Sequence, residues 1–274
     1  MLDVAIIGAG PAAITASIYA SRAGLSVEIF ERNVFGGVLP EIAHIGNFPG
    51  FDGTGADLAH KLVSQAKSFG VKFTYGTCTS ITKTDDSFTL IIDEEPKTAK
   101  TVIVATGSEA KSLGFDLDVP VSYCAVCDGS LYKGKNIAVV GGGNSAVGEA
   151  IYLADIVNNL TLFSHSPLRA EKSLISSLSA RGNVTIRENI EITRELLSDF
   201  DAVFAFIGKC PATSFLPTSV LDSDGYVVAD SSNMTSIPGL FVAGDVKSGA
   251  VRQAVTAAAD GAISALSAVK YLNN

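Results

Sequence analysis

The most constraining feature of this sequence is an internal repeat in which Gly8 falls on Gly141, an offset of 133 residues. The segment Val4-Ala-Ile-Ile-Gly8-Ala-Gly10-Pro-Ala-Ala13 aligns without a gap on Ile137-Ala-Val-Val-Gly141-Gly-Gly143-Asn-Ser-Ala146. In each copy an apolar run reaches a glycine-rich turn, and small apolar residues at helical spacing follow it, to Arg22 and to Ile156. A second apolar run comes next, over residues 26–31 and 160–163. The repeat therefore predicts two strand–turn–helix–strand units.

Both turns have the pattern Gly-x-Gly-x-x-Ala, which is typical of a turn that binds the pyrophosphate of a dinucleotide. The first glycine permits the tight turn, the second lets the backbone approach the phosphates, and the small third residue lets helix and strand pack closely. The free N–H groups at the start of the helix then face the phosphates. The alternative is two ordinary turns built from small residues, which two in-register copies disfavour. The candidate residues are Gly8, Gly10, Pro11, Ala12 and Ala13 in the first copy and Gly141, Gly143, Asn144, Ser145 and Ala146 in the second.

The two copies differ where the second apolar run ends. The first copy ends on Glu31, where a carboxylate can bind the hydroxyls of an adenosine ribose. The aligned position in the second copy is Ser164, and the residues that follow it, His165-Ser-Pro-Leu-Arg169, contain no acid. The first turn is therefore equipped for an FAD-type dinucleotide. The second has kept the phosphate turn and lost the usual ribose-binding acid.

A candidate redox centre lies just upstream of the second copy, in the segment Cys124-Ala-Val-Cys127-Asp128. Two cysteines at this spacing can close a small, reducible disulfide, and the adjacent acid can move protons for them. Half of a zinc site is the alternative, but Cys78 and Cys210 are isolated and the three histidines are scattered. The sequence therefore predicts a dithiol–disulfide pair and no metal.

Composition narrows the setting. The chain has 274 residues, 47% of them hydrophobic, with 28 acidic and 20 basic side chains and a net charge of -8. Such a chain is expected to repel nucleic acid and anionic membrane surfaces. Its apolar runs have the length of strands, and no positively charged flank precedes the first one. Without a secretion signal, a lone Cys-x-x-Cys indicates a reducing compartment, so a cytoplasmic protein is expected.

The segment Cys-Ala-Val-Cys-Asp-Gly closely resembles the active-site motif of the low-molecular-weight thioredoxin reductases. Further matches follow the order of that family along nearly the whole chain. They are Phe35-Gly-Gly37, Ile45-Gly-Asn47-Phe-Pro-Gly50, Val104-Ala-Thr106-Gly107, the run from Thr235 through Ala243-Gly244-Asp245, and Val251-Arg252-Gln253-Ala254.

This resemblance implies an α/β protein with two Rossmann-like, three-layer ββα nucleotide-binding domains, the second inserted in the first. Residues 1–110 and 211–274 would form a discontinuous FAD-binding domain. Residues 111–210 would form the inserted NAD(P)H-like domain that carries the cysteines. A homodimer and a thioredoxin-like partner are also implied.

The resemblance also implies a role for each matching residue. Cys127 would face the flavin, Cys124 would exchange with the protein disulfide, and Asp128 would be the proton donor. Besides the first glycine turn, the implied FAD-binding residues are Glu31, Arg32, Gly37, Val38, Asn47, Thr106, Gly107, Gly244, Asp245, Arg252, Gln253 and Ala254.

The departures from the family concern the electron donor. NADPH-using members carry a His-Arg-Arg-x-x-x-Arg run after the second strand of the inserted domain, whereas this chain has Phe163-Ser-His165 and keeps only Arg169. Two lost cationic contacts to a 2′-phosphate would each remove about 1.5–3 kcal/mol of binding. The family's extra β-meander in this domain is also absent from the sequence. NADP(H) is therefore a doubtful cofactor.

Three functions remain open at this point. The leading hypothesis is a thioredoxin-reductase-like flavoenzyme that takes electrons from a donor such as ferredoxin. The second is the same enzyme with weak NADPH use through Arg169 and His165, which the retained glycine turn favours. The third is a non-catalytic FAD redox sensor, which the intact Cys-x-x-Cys-Asp disfavours.

Overall fold

The computed structural model of the protein describes residues 1–42 and 44–274, and for Cys127 it describes the backbone only. The chain forms two compact units. The first comprises Met1–Glu109 and Cys210–Asn274, and the second comprises Ala110–Lys209. The second unit is thus inserted in the first.

The first part of the chain alternates strands and helices and then forms an antiparallel hairpin. In chain order it contains β1 (Leu2–Ile7), α1 (Pro11–Arg22), β2 (Val27–Glu31), β3 (Ile45–Phe48), β4 (Phe51–Gly53), α2 (Gly55–Ser68), β5 (Lys72–Tyr75), β6 (Cys78–Lys83), β7 (Phe88–Ile92), β8 (Glu95–Val104) and β9 (Ser108–Ala110).

The inserted part and the return segment follow. They contain β10 (Val121–Ser122), α3 (Ala125–Asp128), β11 (Asn136–Val140), α4 (Asn144–Ala154), β12 (Asn159–Ser164), α5 (Lys172–Ser179), β13 (Val184–Glu188), α6 (Arg194–Leu197), β14 (Ala202–Ala205), β15 (Lys209–Pro211), β16 (Leu240–Val242) and α7 (Ala254–Leu272). Short 3-10 helices lie at Leu39–Glu41, Gly129–Tyr132, Thr218–Val220 and Gly244–Val246.

The main sheet of the first unit has the strand order β5-β2-β1-β8-β7-β6, with β16 also paired to β8. β5, β2, β1, β8 and β16 are parallel to one another, whereas β6, β7 and β8 form an antiparallel meander, so that β8 joins the parallel and antiparallel parts of the sheet. The central strand β1 is a continuous apolar run from Val4 to Ile7, and these four residues are buried. A parallel strand covered on both faces requires such a run.

Helices α1 and α7 pack together on one face of this sheet. Their closest approach is at Gly261, where an added Cβ would overlap the backbone carbonyl of Ala12. The small residues of both helices permit this contact, since any larger side chain would separate the backbones. Helix α1 is thereby held with its first turn directly beyond the end of β1.

The sheet of the second unit is parallel throughout, with the order β10-β14-β11-β12-β13. One apolar cluster joins β11, β12 and β14 to α4 and α5, and a second cluster covers the other face. The fold class predicted from the sequence is confirmed: the protein is α/β, with two Rossmann-like units, one inserted in the other. No helix of the described chain is both long enough and apolar enough to cross a membrane.

Candidate active site

The first glycine turn joins the end of β1 to the start of α1, and its shape requires glycine at position 8. Gly8 has φ of +99°, a region that side chains with a Cβ avoid, and a Cβ there would overlap the carbonyl oxygen of Ala105. The N–H of Gly8 donates to the carbonyl of Phe30 at 2.8 Å. The turn is therefore fixed between β2 and the end of β8.

The phosphate-facing side of this turn is open. Gly10 is the N-cap of α1, and as a glycine it has no side chain to accept a hydrogen bond from the first N–H groups of the helix. A Cβ built on Gly10 would meet nothing within 4 Å. A Cβ on Gly37 would lie 2.9 Å from the Cα of Gly10, so a glycine at position 37 lets the loop after β2 pass close to the turn. The N–H groups at the start of a 12-residue helix thus border a free space. A pyrophosphate fits such a space.

Glu31 is held beside this space by two backbone donors. The N–H of Ala9 donates to Oε2 at 2.8 Å, and the N–H of Asn33 donates to Oε1 at 2.7 Å. Gly8, Glu31, Arg32 and Thr106 line one cavity of the first unit, and Arg32 forms an ion pair with Glu109 at 2.6 Å. A fixed carboxylate at the end of the second strand matches what a ribose hydroxyl requires.

The loops predicted to contact the flavin come together from distant parts of the sequence. The amide nitrogen of Asn47 donates to Oε1 of Gln253 at 3.0 Å, although 206 residues separate them. Gln253 is also the N-cap of the long helix α7, and it forms a capping box with Thr256. Ala254 is the first residue of that helix, so its N–H group lies among the unsatisfied donors of the helix start.

The remaining predicted flavin residues lie at strand ends or in neighbouring loops. Thr106 follows β8, and its hydroxyl donates to the carbonyl of Ala212 at 2.8 Å, while Gly107 accepts from the N–H of Ala212. Gly244 and Asp245 begin the 3-10 helix after β16. Val38 is 41% exposed, and the guanidinium of Arg252 lies 4.9 Å from the ring centre of Tyr226.

Gly8, Glu31, Thr106 and Gly244 lie at or just beyond the carboxyl ends of the parallel strands β1, β2, β8 and β16, which is where α/β sheets bind ligands. The open turn at Gly10, the fixed carboxylate of Glu31 and the amides of Asn47 and Gln253 fit the phosphates, ribose and polar ring edge of a flavin dinucleotide. The residues present therefore suit an FAD-type cofactor.

The second glycine turn repeats the first in detail. Gly141 has φ of +147°, a Cβ on it would overlap the carbonyl of Phe206, and its N–H donates to Phe163 at 2.9 Å. Gly143 caps α4 without a side-chain bond, and a Cβ on it would also meet nothing within 4 Å. A phosphate could approach this turn as it could the first.

The loop after β12 is where the two sites diverge. Ser164 is buried, and its hydroxyl donates to the carbonyl of Ser166 at 2.6 Å. The N–H of Arg169 donates to the carbonyl of Gly142 at 2.7 Å, which ties the loop to the turn. Asn144 and Glu171 exchange two hydrogen bonds close by. The loop is closed on itself rather than open toward a ligand.

No acid follows Ser164 in the sequence, but the structure places one beside it from the next strand. Glu188 ends the neighbouring strand β13 in register with Ser164, and its Oε1 accepts the N–H of Leu168 at 2.8 Å. An exposed carboxylate therefore accepts from a backbone donor of the loop that begins where the resemblance expects two arginines. The only signal in the sequence was that β13 follows the repeat and had to pair with β12.

The redox segment lies in the second unit, where β10 leads into α3. Cys124 is disulfide-bonded. The side chain of Cys127, the other predicted redox residue, lies outside what the structure describes. The hydroxyl of Ser122 donates to Oδ2 of Asp128 at 2.6 Å and accepts the N–H of Cys124 at 3.2 Å. Ser122 was not among the predicted site residues, because nothing in the motif marks a serine two residues before a cysteine as a contact of the acid.

The other two cysteines are free. Burial raises the pKa of the Cys78 thiol to about 12, so this thiol stays protonated at neutral pH and is a poor nucleophile. Among the described residues, no group of three His, Cys, Asp or Glu side chains is arranged to hold a metal ion.

Comparison with known families and sequences gives a consistent result. The family model described as pyridine nucleotide-disulphide oxidoreductase matches residues 2–261. The thioredoxin reductase of Listeria innocua is 37% identical over 298 aligned positions, covering 98% of this chain and 93% of the relative. The thioredoxin reductase of Treponema pallidum is 35% identical, covering 99% of this chain and 97% of the relative.

Solved structures agree. The thioredoxin reductase of Lactococcus lactis in its FR conformation has a TM-score of 0.87 at 30% identity, covering 100% of this chain and 99% of that one. The thioredoxin reductase of T. acidophilum has a TM-score of 0.86 at 33% identity, with the same coverage. An atypical thioredoxin reductase of Desulfovibrio vulgaris also matches, with a TM-score of 0.59 at 26% identity, covering 100% of this chain and 98% of that one.

Proposed function

This chain belongs to the pyridine nucleotide-disulphide oxidoreductase family as a flavin-dependent disulfide oxidoreductase, and we propose that its flavin is FAD and its substrate a thioredoxin-like protein disulfide. The observation that carries the proposal is the Cys124-x-x-Cys127-Asp128 motif in a chain whose first glycine turn fits FAD. The first unit is the FAD-binding domain. The second unit is a NAD(P)H-like domain that carries the redox pair.

FAD is bound mainly by backbone and fixed polar groups in this proposal. The N–H groups from Ala12 onward face the pyrophosphate, and Glu31 accepts from the ribose hydroxyls. Asn47, Thr106, Asp245, Gln253 and the start of α7 hold the ribityl chain and the ring. The remaining proposed contacts are Gly8, Gly10, Pro11, Ala13, Arg32, Gly37, Val38, Gly107, Gly244, Arg252 and Ala254.

The chemistry is a two-electron relay. Bound FAD supplies the electron pair that reduces the enzyme disulfide. In this proposal Cys127 exchanges electrons with the flavin, and Cys124 attacks the substrate disulfide and forms a mixed disulfide with it. The second enzyme thiol then displaces the substrate and restores the enzyme disulfide. Asp128 supplies a proton to a departing thiolate and recovers one from an enzyme thiol.

We further propose that the physiological donor is not NADPH but a protein such as ferredoxin. Support comes from the loop after β12, where Ser164 and His165 replace two arginines and Glu188 takes the N–H of Leu168. A 2′-phosphate would approach an acid instead of two guanidinium groups. The cost would be several kcal/mol, since each charged hydrogen bond contributes about 1.5–3 kcal/mol.

Anaerobic reduction of the bound flavin tests the donor. Reduced ferredoxin should bleach the flavin absorbance of the holoenzyme within the dead time of manual mixing, whereas NADPH or NADH at micromolar concentration should not. Oxidised thioredoxin should then restore the absorbance. Rapid bleaching by micromolar NADPH would eliminate this donor assignment while leaving the disulfide chemistry intact.

One observation favours a second candidate, an NADPH-dependent enzyme with weak nucleotide binding. The turn at Gly141 and Gly143 keeps the geometry of the FAD-binding turn, and Arg169 retains a cation at its edge. Under this alternative, Arg169→Ala should raise the KM for NADPH about 10-fold, the loss expected for one charged phosphate contact. An unchanged KM would remove Arg169 from the site.

A homodimer is part of the proposal. Val255, Ile263 and Leu266 lie on one side of α7 and are exposed, as is Tyr19 on the adjoining helix α1. A row of exposed apolar side chains on packed helices is typical of a subunit interface. Light scattering should give twice the 28.3 kDa chain mass, and a monomer at all concentrations would contradict it.

A further inference from the structure

The hydroxyl of Ser122 makes contacts that the motif itself does not explain. Ser122 is 5% exposed and ends the short strand β10, which pairs with β14. Its Oγ lies 2.6 Å from Oδ2 of Asp128, 3.2 Å from the backbone nitrogen of Cys124 and 3.2 Å from the carbonyl oxygen of Cys124. One buried hydroxyl therefore touches both the acid and the backbone of the redox cysteine.

These distances determine how the hydroxyl is used. A hydroxyl has one proton to donate and two lone pairs to accept with. The 2.6 Å contact with a carboxylate oxygen is in the range of a charge-assisted O–H donor bond, so the proton lies toward Asp128. A lone pair then accepts the N–H of Cys124. The carbonyl of Cys124 is left as the alternative acceptor.

We propose that Ser122 is a positioning residue that holds the carboxyl group of Asp128 for proton transfer to the departing thiolate. Because Oδ2 is engaged by the hydroxyl, the exchanged proton is carried on Oδ1, and the carboxyl group cannot rotate away from the cysteine backbone. The inference rests on the acid role of Asp128 in the proposed function.

The proton balance of the exchange is closed. The reduced Cys124 thiol first passes its proton to the Asp128 carboxylate. The resulting Cys124 thiolate attacks a substrate disulfide, a Cys124–substrate S–S bond forms as the substrate S–S bond breaks, and the first substrate thiolate leaves and takes the proton from Asp128. The second enzyme thiol passes its proton to Asp128 and attacks Cys124, and the second substrate thiolate takes that proton as it leaves. The enzyme dithiol has then lost two electrons and two protons, and the substrate has become two thiols.

Leaving groups of different basicity isolate this role. A basic alkyl thiolate needs a proton as it departs, whereas the weakly basic aromatic thiolate of Ellman's reagent departs without one. A residue that only supports the fold would affect both reactions equally. A residue that positions the acid affects the alkyl disulfide alone.

The experiment uses the holoenzyme, reduced with dithiothreitol and desalted anaerobically, in single turnover against hydroxyethyl disulfide and against Ellman's reagent. Ser122→Ala should slow the first reaction about 10-fold, within the range that general acid catalysis contributes, and should change the second less than 2-fold. Ser122→Thr, which keeps the hydroxyl, should restore the alkyl rate. The exposed Ser130 of the same segment provides the control, and Ser130→Ala should leave both rates unchanged.

A double-mutant cycle completes the test, because residues that act as one unit are not additive. In an Asp128→Asn background, Ser122→Ala should cause no further loss. Equal slowing with both disulfides, or the full Ser122→Ala loss in the Asp128→Asn background, would overturn the proposal. If wild-type enzyme reacts with both small disulfides but not with thioredoxin, the substrate assignment fails while Ser122 can still be judged.

Discussion

The two glycine turns of this chain have nearly the same backbone and very different surroundings. In both, the first glycine donates to a phenylalanine carbonyl, at 2.8 Å from Gly8 and 2.9 Å from Gly141, and has no room for a Cβ. In both, the second glycine faces open space. The backbone geometry therefore does not tell which turn holds a nucleotide.

The side chains beyond the second strand make the difference. The first site presents Glu31, whose carboxylate is oriented by two backbone donors. The second presents a buried serine and a loop closed by its own hydrogen bonds, with Glu188 on the outside. Under the proposed function, the shared turn serves ligand binding in the first copy and helix–strand packing alone in the second.

The strongest test places the same charge in both turns. Gly10→Asp and Gly143→Asp each add a side chain where a Cβ has free space, so both variants should fold. A carboxylate against a pyrophosphate should weaken FAD binding about 100-fold or more, since like charges a few ångströms apart repel by several kcal/mol in a partly buried site. Gly10→Asp should be purified without flavin.

The matched variant should behave differently. Gly143→Asp should keep its full flavin content and its rate with reduced ferredoxin, because no phosphate is required at that turn. Flavin absorbance relative to protein absorbance measures the first quantity. A loss of ferredoxin-driven thioredoxin reduction in Gly143→Asp, with flavin retained, would show that the second turn binds a nucleotide after all.

Removing the ribose acceptor should have the next largest effect. Glu31→Ala leaves the N–H groups of Ala9 and Asn33 without their acceptor and removes the bond to the ribose. FAD affinity should fall about 10- to 100-fold, since hydrogen bonds to a charged group each contribute about 1.5–3 kcal/mol. Equilibrium dialysis of the apoprotein with FAD measures it. Unaltered affinity would mean that the first cavity binds the adenosine without this carboxylate.

A smaller and opposite effect is expected at Glu188. Glu188→Gln removes a negative charge from the loop after β12 and should tighten binding of 2′,5′-ADP to the holoenzyme about 5- to 10-fold at low ionic strength, with a smaller gain in high salt. Affinity for 5′-AMP, which lacks the 2′-phosphate, should not change. The exposed Glu191 provides the control. If Glu188→Gln binds 2′,5′-ADP no better than Glu191→Gln does, the acid does not discriminate against the phosphate.

Much of this architecture could be predicted from the sequence. The repeat predicted strands over 26–31 and 160–163 and a helix to Arg22, and the structure has Val27–Glu31, Asn159–Ser164 and Pro11–Arg22. Apolar periodicity and glycine spacing are local properties, so they predict such elements well. The α/β class and the membership of a flavin disulfide oxidoreductase family were also predicted and are confirmed.

The missed contacts depend on the register between two strands in one case and on the path of a short helical turn in the other. Glu188 reaches Leu168 only because β13 pairs with β12 so that Ser164 and Glu188 are neighbours. Ser122 reaches Asp128 because α3 turns the chain back by one helical turn. A one-residue slip of β13 would point the Glu188 side chain to the other face of the sheet, and no local pattern specifies that register.

The repeat also offers a comparison far from any ligand. At the start of the first unit the carboxylate of Asp3 accepts from Ser26 and Lys100, and these hydrogen bonds, that of Lys100 above all, lower its pKa from 3.8 to about 2. At the aligned position of the second unit stands Asn136, whose neutral side chain accepts hydrogen bonds from the side-chain amides of Asn158 and Asn159. The same structural position is thus ionisable in one unit and not in the other.

This difference predicts the smallest effect, in stability rather than binding. Because the pKa of Asp3 is depressed in the folded state, its ionised carboxylate stabilises the fold. This stabilisation is complete above the unfolded-state pKa of 3.8 and is lost as the pH falls through about 2. Asp3→Asn should lower the free energy of unfolding by about 1 kcal/mol at pH 7, after discounting for solvent screening. Near pH 3 the loss should be about half as large. This pH lies between the pKa values of Asp3 in the unfolded and folded chains, so part of the stabilisation by the ionised carboxylate is already gone in the wild type. Urea unfolding of the wild type and of Asp3→Asn at the two pH values measures this difference in the free energy of unfolding. An equal loss at both pH values would mean that the hydrogen bonds of Asp3 stabilise the protein through their geometry and not through the charge of the carboxylate.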